Sequence, residues 1–416
     1  MAVDISTLTD RANAGDLSIQ LELAGLYETG TGVPVDRGRA AHWYRMAAEQ
    51  GAIKAQSRLG QMYIRGIGVP KDHLEAVNWL QKAAQQGNRA AQANLAWCFQ
   101  EGMGTGKNIP LAITWYEKAA AQGHAGASFN MGYLYANGSG IPRDEQKALY
   151  WYTQAAQLGH NKAQHNLGIM YEQGDGTDVD YAAAVRWYSA AAKQGYARSQ
   201  YNLARLYTEG HGVEKDNQEA FKWFKQAATA GYYKAQFNLG LFYLHGLGND
   251  QDYTRALGLF RSAAGRGYPK AYYQLGKMYV MGLGVDVNEI ESANYFQLSA
   301  DRGYAKAQYK LARLYMDGQG VRKNVVVACQ WLEKSALQGH TQAQYDLGVC
   351  YARGRGVSMD SRKAYAWLTL AARAGDRKLD KIMKKIAENM ETAEIVEAQQ
   401  LAAKWHAEIS VTPNPH

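Results

Sequence analysis

The chain reads as an all-α solenoid, and three observations predict it. A block of 36 residues recurs ten times with no insertion or deletion. Inside each block, apolar residues fall in two runs with the spacing of one helix face. Glycines stand at fixed places between and after those runs, where a chain leaves a helix. Residues 199–234, SQYNLARLYTEGHGVEKDNQEAFKWFKQAATAGYYK, are one such block, and its Tyr207 returns as Tyr27, Tyr63, Phe99, Tyr135, Tyr171, Tyr243, Tyr279, Tyr315 and Tyr351. A fixed period of this length marks stacked supersecondary units rather than one enlarging core.

The blocks open at Ile19, Ala55, Ala91, Ala127, Ala163, Ser199, Ala235, Ala271, Ala307 and Ala343, and positions are counted from there. Positions 1, 5, 8 and 9 (Ala235, Leu239, Phe242, Tyr243) make the buried stripe of a first helix of about 12 residues. Glycine at position 12 (Gly210, Gly246, Gly318) stops it as a left-handed cap. A second glycine at position 14 and a valine such as Val213 complete the loop. Position 18 is Asp or Asn in every block, as in Asp72, Asn108, Asp144, Asp180 and Asp216, and caps the second helix. Asp72 with Glu75 and Asp216 with Glu219 have capping-box spacing. Ala220, Trp223, Phe224 and Ala227 give that helix one apolar face, and position 33 is glycine throughout, from Gly51 to Gly375. The tryptophans at position 25, such as Trp43, Trp115, Trp187 and Trp331, have apolar neighbours three and four residues away and are expected in the core. Repeats 7 and 8 carry Leu259 and Tyr295 there instead, which softens the stack or changes the packing partner.

The ends differ from the blocks, as the ends of a solenoid should. Residues 1–18 match only a second helix and are expected to cap the first repeat. Residues 19–378 hold the ten repeats. Residues 379–416 are expected to form capping helices, with Leu401 and Trp405 facing inwards, and a frayed tail at residues 411–416.

The chain has 416 residues and a net charge of +8. Nucleic acid is the reflex partner of a basic protein. However, the first fifty residues are acidic, residues 101–250 are balanced, and no run of five or six bases occurs. No basic, apolar leader opens the sequence, and no stretch nears a membrane span. Cys98, Cys329 and Cys350 do not recur with the period, which argues against a disulfide ladder and points to a reducing, cytoplasmic setting.

The run Ala163, Gln164, Asn166, Leu167, Gly168, Tyr171, the Gly-x-Gly-Val loop, the capping Asp, Ala-x-x-Trp-Tyr and Ala-Ala-x-x-Gly together resemble the Sel-1-like repeat family, kin of the tetratricopeptide repeats. The resemblance covers residues 4–408, and residues 397–408 (EAQQLAAKWHAE) look like the end of bacterial members. It implies a right-handed superhelix whose first helices line a concave groove. It also implies an adaptor or scaffold role rather than an enzyme, with no cofactor. Some secreted members staple their repeats with paired cysteines, which this chain lacks.

Once the period is subtracted, positions 4 and 7 of the first helix remain, one helical turn apart on one stripe. Position 4 is Asn94, Asn130, Asn166, Asn202 and Asn238 in five successive repeats. Such a ladder can hold an extended backbone through its amides, or it can bond to the next repeat and fix the stack. Position 7 varies freely and offers Trp97 and Tyr133 early, then Arg205, Lys277 and Arg313, with Lys310 at position 4 beside them. Exposed Trp, Tyr and Arg are common anchors in interfaces, so the expected partner is a protein segment with an apolar end and an acidic end, bound by a monomer. An inhibitor or immunity protein that blocks a toxin or enzyme is the alternative, and nucleic-acid binding a third. Position 36 is basic in six repeats (Lys54, Lys162, Arg198, Lys234, Lys270, Lys306) and reads as a solvated edge.

Apparent catalytic and metal motifs fail on spacing. Residues 102–108 (GMGTGKN) lack one residue of a phosphate loop and have helices on both sides. Asp175, Asp178 and Asp180 lack the distal glutamate of a calcium loop. His124, His160 and His340 share position 34, one per repeat, too dispersed for a metal.

Overall fold

A computed structural model describes residues 5–373 and 378–411. Every regular element in them is an α-helix. The chain divides into two compact units, residues 1–215 and 216–416. The first holds α1 (Ile5–Asn13), α2 (Leu17–Thr29), α3 (Arg37–Glu49), α4 (Ile53–Arg65), α5 (His73–Gln85), α6 (Arg89–Glu101), α7 (Ile109–Ala121), α8 (Ala125–Asn137), α9 (Glu145–Gln157), α10 (Asn161–Gln173), α11 (Tyr181–Lys193) and α12 (Ala197–Glu209). The second holds α13 (Asn217–Thr229), α14 (Tyr233–His245), α15 (Tyr253–Gly265), α16 (Pro269–Met281), α17 (Glu289–Asp301), α18 (Ala305–Asp317), α19 (Val325–Ala336), α20 (Thr341–Arg353), α21 (Ser361–Ala372), α22 (Lys378–Ala387) and α23 (Thr392–Val411).

Within each unit, successive helices pack on their sequence neighbours, so the core is a string of clusters and not one centre. The caps sit where the residues place them. Asp72 accepts the N–H groups of Leu74 and Glu75, and Asp144 that of Lys147. First helices begin two residues before position 1 and run 13 residues, for example from Ile53 to Arg65. His124, His160 and His340 cap first helices, their Nδ1 accepting from the N–H of Ala127, Ala163 and Ala343. Their recurrence at position 34 therefore has a structural cause.

Three devices join one repeat to the next. Alanines and leucines fill the space between the helices. The position-2 glutamine reaches back: Gln56, Gln92, Gln164 and Gln344 donate 3.1 Å bonds to the carbonyls of Ala48, Ala84, Ala156 and Ala336 in the preceding repeat. The third device is the position-14 glycine. Gly212 has φ +69°, and a methyl group there would overlap the Tyr181 carbonyl at the start of α11. The loop of one repeat thus lies directly on the helix start of the one before.

Trp43, Trp79 and Trp367 are buried, and Trp115 and Trp331 pack at the core edge with Lys118 and Lys334 over their rings. Tyr295 replaces tryptophan and stacks on Tyr279 at 5.3 Å, the same position-9 partner that shares a cluster with the tryptophan elsewhere, as Tyr63 does with Trp79. At the ends, α1 packs on α2. On the other side Trp405 stacks on Trp367 at 4.1 Å, and Leu401 joins the same cluster. Residues 412–416, most of the expected tail, lie outside the described residues.

His165 is buried on α10, with its Nδ1 2.9 Å from the Ser199 hydroxyl. Burial, then the charge of Arg198, holds its imidazole down at about 4. An unfolded histidine takes its proton near pH 6.5, so below that pH the unfolded chain gains a proton that the folded chain refuses. Stability is intact above pH 6.5 and falls towards pH 4, by up to about 3 kcal/mol from this residue. The expected outcome is a melting temperature that falls over this window, with a flatter profile for His165→Asn. Separately, Gly212→Ala should cost about 2–4 kcal/mol in denaturant unfolding, from strained φ and backbone overlap together.

Candidate functional site

The candidate face is built from first helices, which set positions 4 and 7 side by side. In the first unit two depressions open on it. One, of about 210 Å³, is lined by Gln61, Ile64 and Arg65 of α4 and by Asn94 and Trp97 of α6. The other, of about 270 Å³, is lined by Tyr133, Ala136 and Asn137 of α8 and by Asn166 and Ile169 of α10, with the Tyr152 ring at its side. Tyr133 is 46% exposed, and Trp97 is half-buried, its ring packed on two core clusters. The ion pair of Arg143 with Glu145, 2.5 Å, stands beside the second depression.

The asparagines are half-buried, and most are already engaged. Asn130 Nδ2 donates to the Tyr116 hydroxyl at 3.0 Å, and that hydroxyl donates to Gln100 Oε1 at 3.0 Å. Asn166 and Asn202 bond in the same way to the hydroxyls of Tyr152 and Tyr188. Burial, against the pull of Asn166, pushes the Tyr152 hydroxyl up to about 12, and Tyr188 is raised further by burial and by Glu172. The tyrosine is position 26 of one repeat and the asparagine position 4 of the next, fourteen residues on. Where position 26 is Phe224, Asn238 turns to the Lys234 carbonyl of its own helix at 2.9 Å. Where it is Leu80, Asn94 lines the first depression and has no side-chain partner among the described residues.

The arginines are compensated rather than free. Arg205 is paired with Glu172 and, at 2.7 Å, with Glu209, while Tyr188 donates to Glu172 at 2.9 Å. Arg58 with Glu28 and Tyr44 repeats that constellation on α2 to α4. In the second unit Arg313 lies between Asp317 at 3.7 Å and Asp346 at 3.5 Å. Lys277 is exposed and Lys310 half-buried, with no ion-pair partner among the described residues. The expected acidic end of the partner therefore rests on two lysines, since carboxylates of this chain already meet the two arginines.

Lys270 on the basic edge has its pKa lowered by burial and then by Lys234 and Lys306, so these charges do sense one another. Cys98, Cys329 and Cys350 are buried free thiols, and burial pushes Cys98 up to about 11. Among the described residues no group of three His, Cys, Asp or Glu could hold a metal, and no helix is long and apolar enough to cross a membrane. Sequence reasoning missed Tyr116, Tyr152, Tyr188 and Glu172. Their signal was the co-occurrence of Tyr at position 26 with Asn fourteen residues later.

Stacked helical hairpins that leave a row of variable side chains on their first helices define a repeat protein of the interaction-module class. The chain belongs to the Sel1 repeat family: the family profile, described as Sel1 repeat, matches residues 20–51, 53–88, 89–124, 125–160, 161–196, 197–232, 234–268, 269–304, 305–340 and 341–376. Two solved structures are similar. A protective antigen present in uropathogenic Escherichia coli strains, displaying an SLR fold, is 30% identical with a TM-score of 0.66, over 98% of this chain and 95% of that one. A Sel1 repeat protein from Oxalobacter formigenes is 32% identical with a TM-score of 0.64, over 76% of this chain and 94% of that one. A search of curated proteins finds no match.

The tyrosine–asparagine bonds make a stability prediction. Asn166→Ala with Asn202→Ala should lower stability by about 1–2 kcal/mol, because each removes a half-buried bond between repeats. Asn94→Ala should change it by less than about 0.5 kcal/mol. Urea unfolding of the variants checks both.

Proposed function

We propose that this chain is a non-catalytic interaction scaffold, a cytoplasmic monomer that takes an extended segment of a partner protein on the first-helix face of its first unit. The observation that carries the reading is the pair of depressions on α4–α6 and α8–α10, each flanked by an aromatic at position 7, Trp97 or Tyr133. Concave, half-apolar sites with a few placed polar groups are what a docking side chain needs. Asn94 and Asn137 supply amides at the two depressions.

The rigidity of the face supports the same reading. Asn130, Asn166 and Asn202 tie α8, α10 and α12 to the repeats before them, so the surface is formed before the partner arrives and little entropy is lost on binding. The charge arrangement favours a protein over nucleic acid. Phosphate binding draws on uncompensated bases, and Arg58 and Arg205 on this face are each matched by a carboxylate. Lys277, Lys310 and Arg313 belong to the second unit, where α16 and α18 carry them. A reducing compartment suits three thiols kept unpaired.

Pull-down from the native cell with wild type and Tyr133→Ala, quantified by mass spectrometry, tests the proposal. Tyr133 is exposed, so its loss should leave the melting temperature within about 1–2 °C. The captured partner should fall about tenfold or more, the size of an interface anchor. Equal capture by both proteins would place the partner elsewhere.

A further inference from the structure

The ends of α7 and α9, away from the first-helix face, carry a second site, and the repeat itself shows what fits there. In other repeats the position-2 glutamine fills this place. Its Nε2 donates to an alanine carbonyl of the preceding repeat, as for Gln56, Gln92, Gln164 and Gln308, at 3.1–3.2 Å. Where position 32 is also glutamine, its Oε1 accepts from that side chain, as in Gln86 to Gln56, Gln122 to Gln92 and Gln194 to Gln164, each at 2.8 Å. The alanine carbonyl takes two donors at once: Ala156 accepts from Gly159 N–H at 3.0 Å and from Gln164 at 3.1 Å.

The fourth repeat departs at both positions. Ser128 stands where the glutamine would be, and Leu158 stands where its partner would be. The Ala120 carbonyl still accepts from Gly123 N–H at 2.8 Å, but Ser128 sends it no side-chain bond among the described residues. A cavity of about 470 Å³ opens at this point, lined by Ala120, Gly123, Ser128, Tyr150, Trp151 and Leu158. Tyr150 and Leu158 are more than half exposed at its rim, and Gln154 and Gln157 add amides. The eighth repeat also departs, with Tyr272 and Arg302, but there the guanidinium sits 4.6 Å over the ring and the place is filled.

We propose that this cavity is a recognition site for the primary carboxamide of a glutamine side chain on a partner protein. The carboxamide donates to the second lone pair of the Ala120 carbonyl, as the chain's own glutamines do in neighbouring repeats. Its methylenes lie against Leu158 and the Tyr150 ring. The site is separate from the first-helix face, so a scaffold using both would hold its partner at two points or hold two partners.

The probe is N-acetyl-glutamine methylamide, followed by amide chemical shifts of the full chain. The expected result is saturable shifts at Gly123, Ser128 and Leu158, with a dissociation constant on the order of millimolar for so small a ligand. The norvaline analogue, which lacks the carboxamide, should bind at least about tenfold more weakly. Ser128→Gln with Leu158→Gln restores the pair seen in other repeats. It should fold at least as stably as wild type and lose the shifts. Absence of saturable shifts in wild type, equal binding of the norvaline analogue, or undiminished binding by the double variant would overturn the proposal. Because Tyr133 is untouched, partner capture through the first-helix face is read independently in the same double variant.

Discussion

A helical hairpin of this length cannot cover its own apolar faces, and every other feature follows from the need to lean on a neighbour. The contact is made at three levels. Small and branched side chains fill the gap between helices. The position-2 glutamine satisfies a carbonyl at the end of the preceding second helix, as Gln92 does for Ala84. The glycine loop then lies on the backbone of the preceding repeat so closely that no β-carbon fits, as at Gly212. Such a stack grows by addition, and each repeat can vary on its free face without disturbing the rest.

That freedom explains how function and fold share one helix. On α10, Leu167 and Gly168 belong to the stack, Asn166 ties it to Tyr152, and Ile169 faces the depression. The asparagine ladder looks like a binding row when read along the sequence. In three dimensions its middle members act mainly as cross-braces, since their amides are spent on tyrosine hydroxyls. The end members, Asn94 and Asn238, lack a hydroxyl partner because Leu80 and Phe224 supply none. The arginines follow the same logic: Arg205 joins α10 to α12 through Glu172 before it can meet any ligand.

Much of this was legible in the sequence. The period, the glycine caps, the Asp and Asn N-caps and the helical spacing are local signals, and each acts within one block. The inward-facing Trp405 was legible as well, because an unpaired last repeat needs a cover. What escaped were relations between blocks. The Tyr188–Asn202 bond joins different repeats, and the pairing of Arg205 with Glu172 spans thirty-three residues. The joint departure of Ser128 and Leu158 is invisible until the glutamine pair is known to be a pair. Periodicity identifies which residues are constant, and the geometry then shows which of the constant residues bond across the repeat boundary.

The central claim is that the partner is read by the variable residues of the first helices while the asparagine ladder holds them in place. Hydrogen–deuterium exchange of the chain with and without its captured partner tests it most directly. The account predicts added protection along α6, α8 and α10, around Trp97, Tyr133 and Ile169, with the glycine loops unchanged and any protection of second helices confined to the ends of α7 and α9. Protection concentrated on the glycine loops, or on second helices alone, would contradict it.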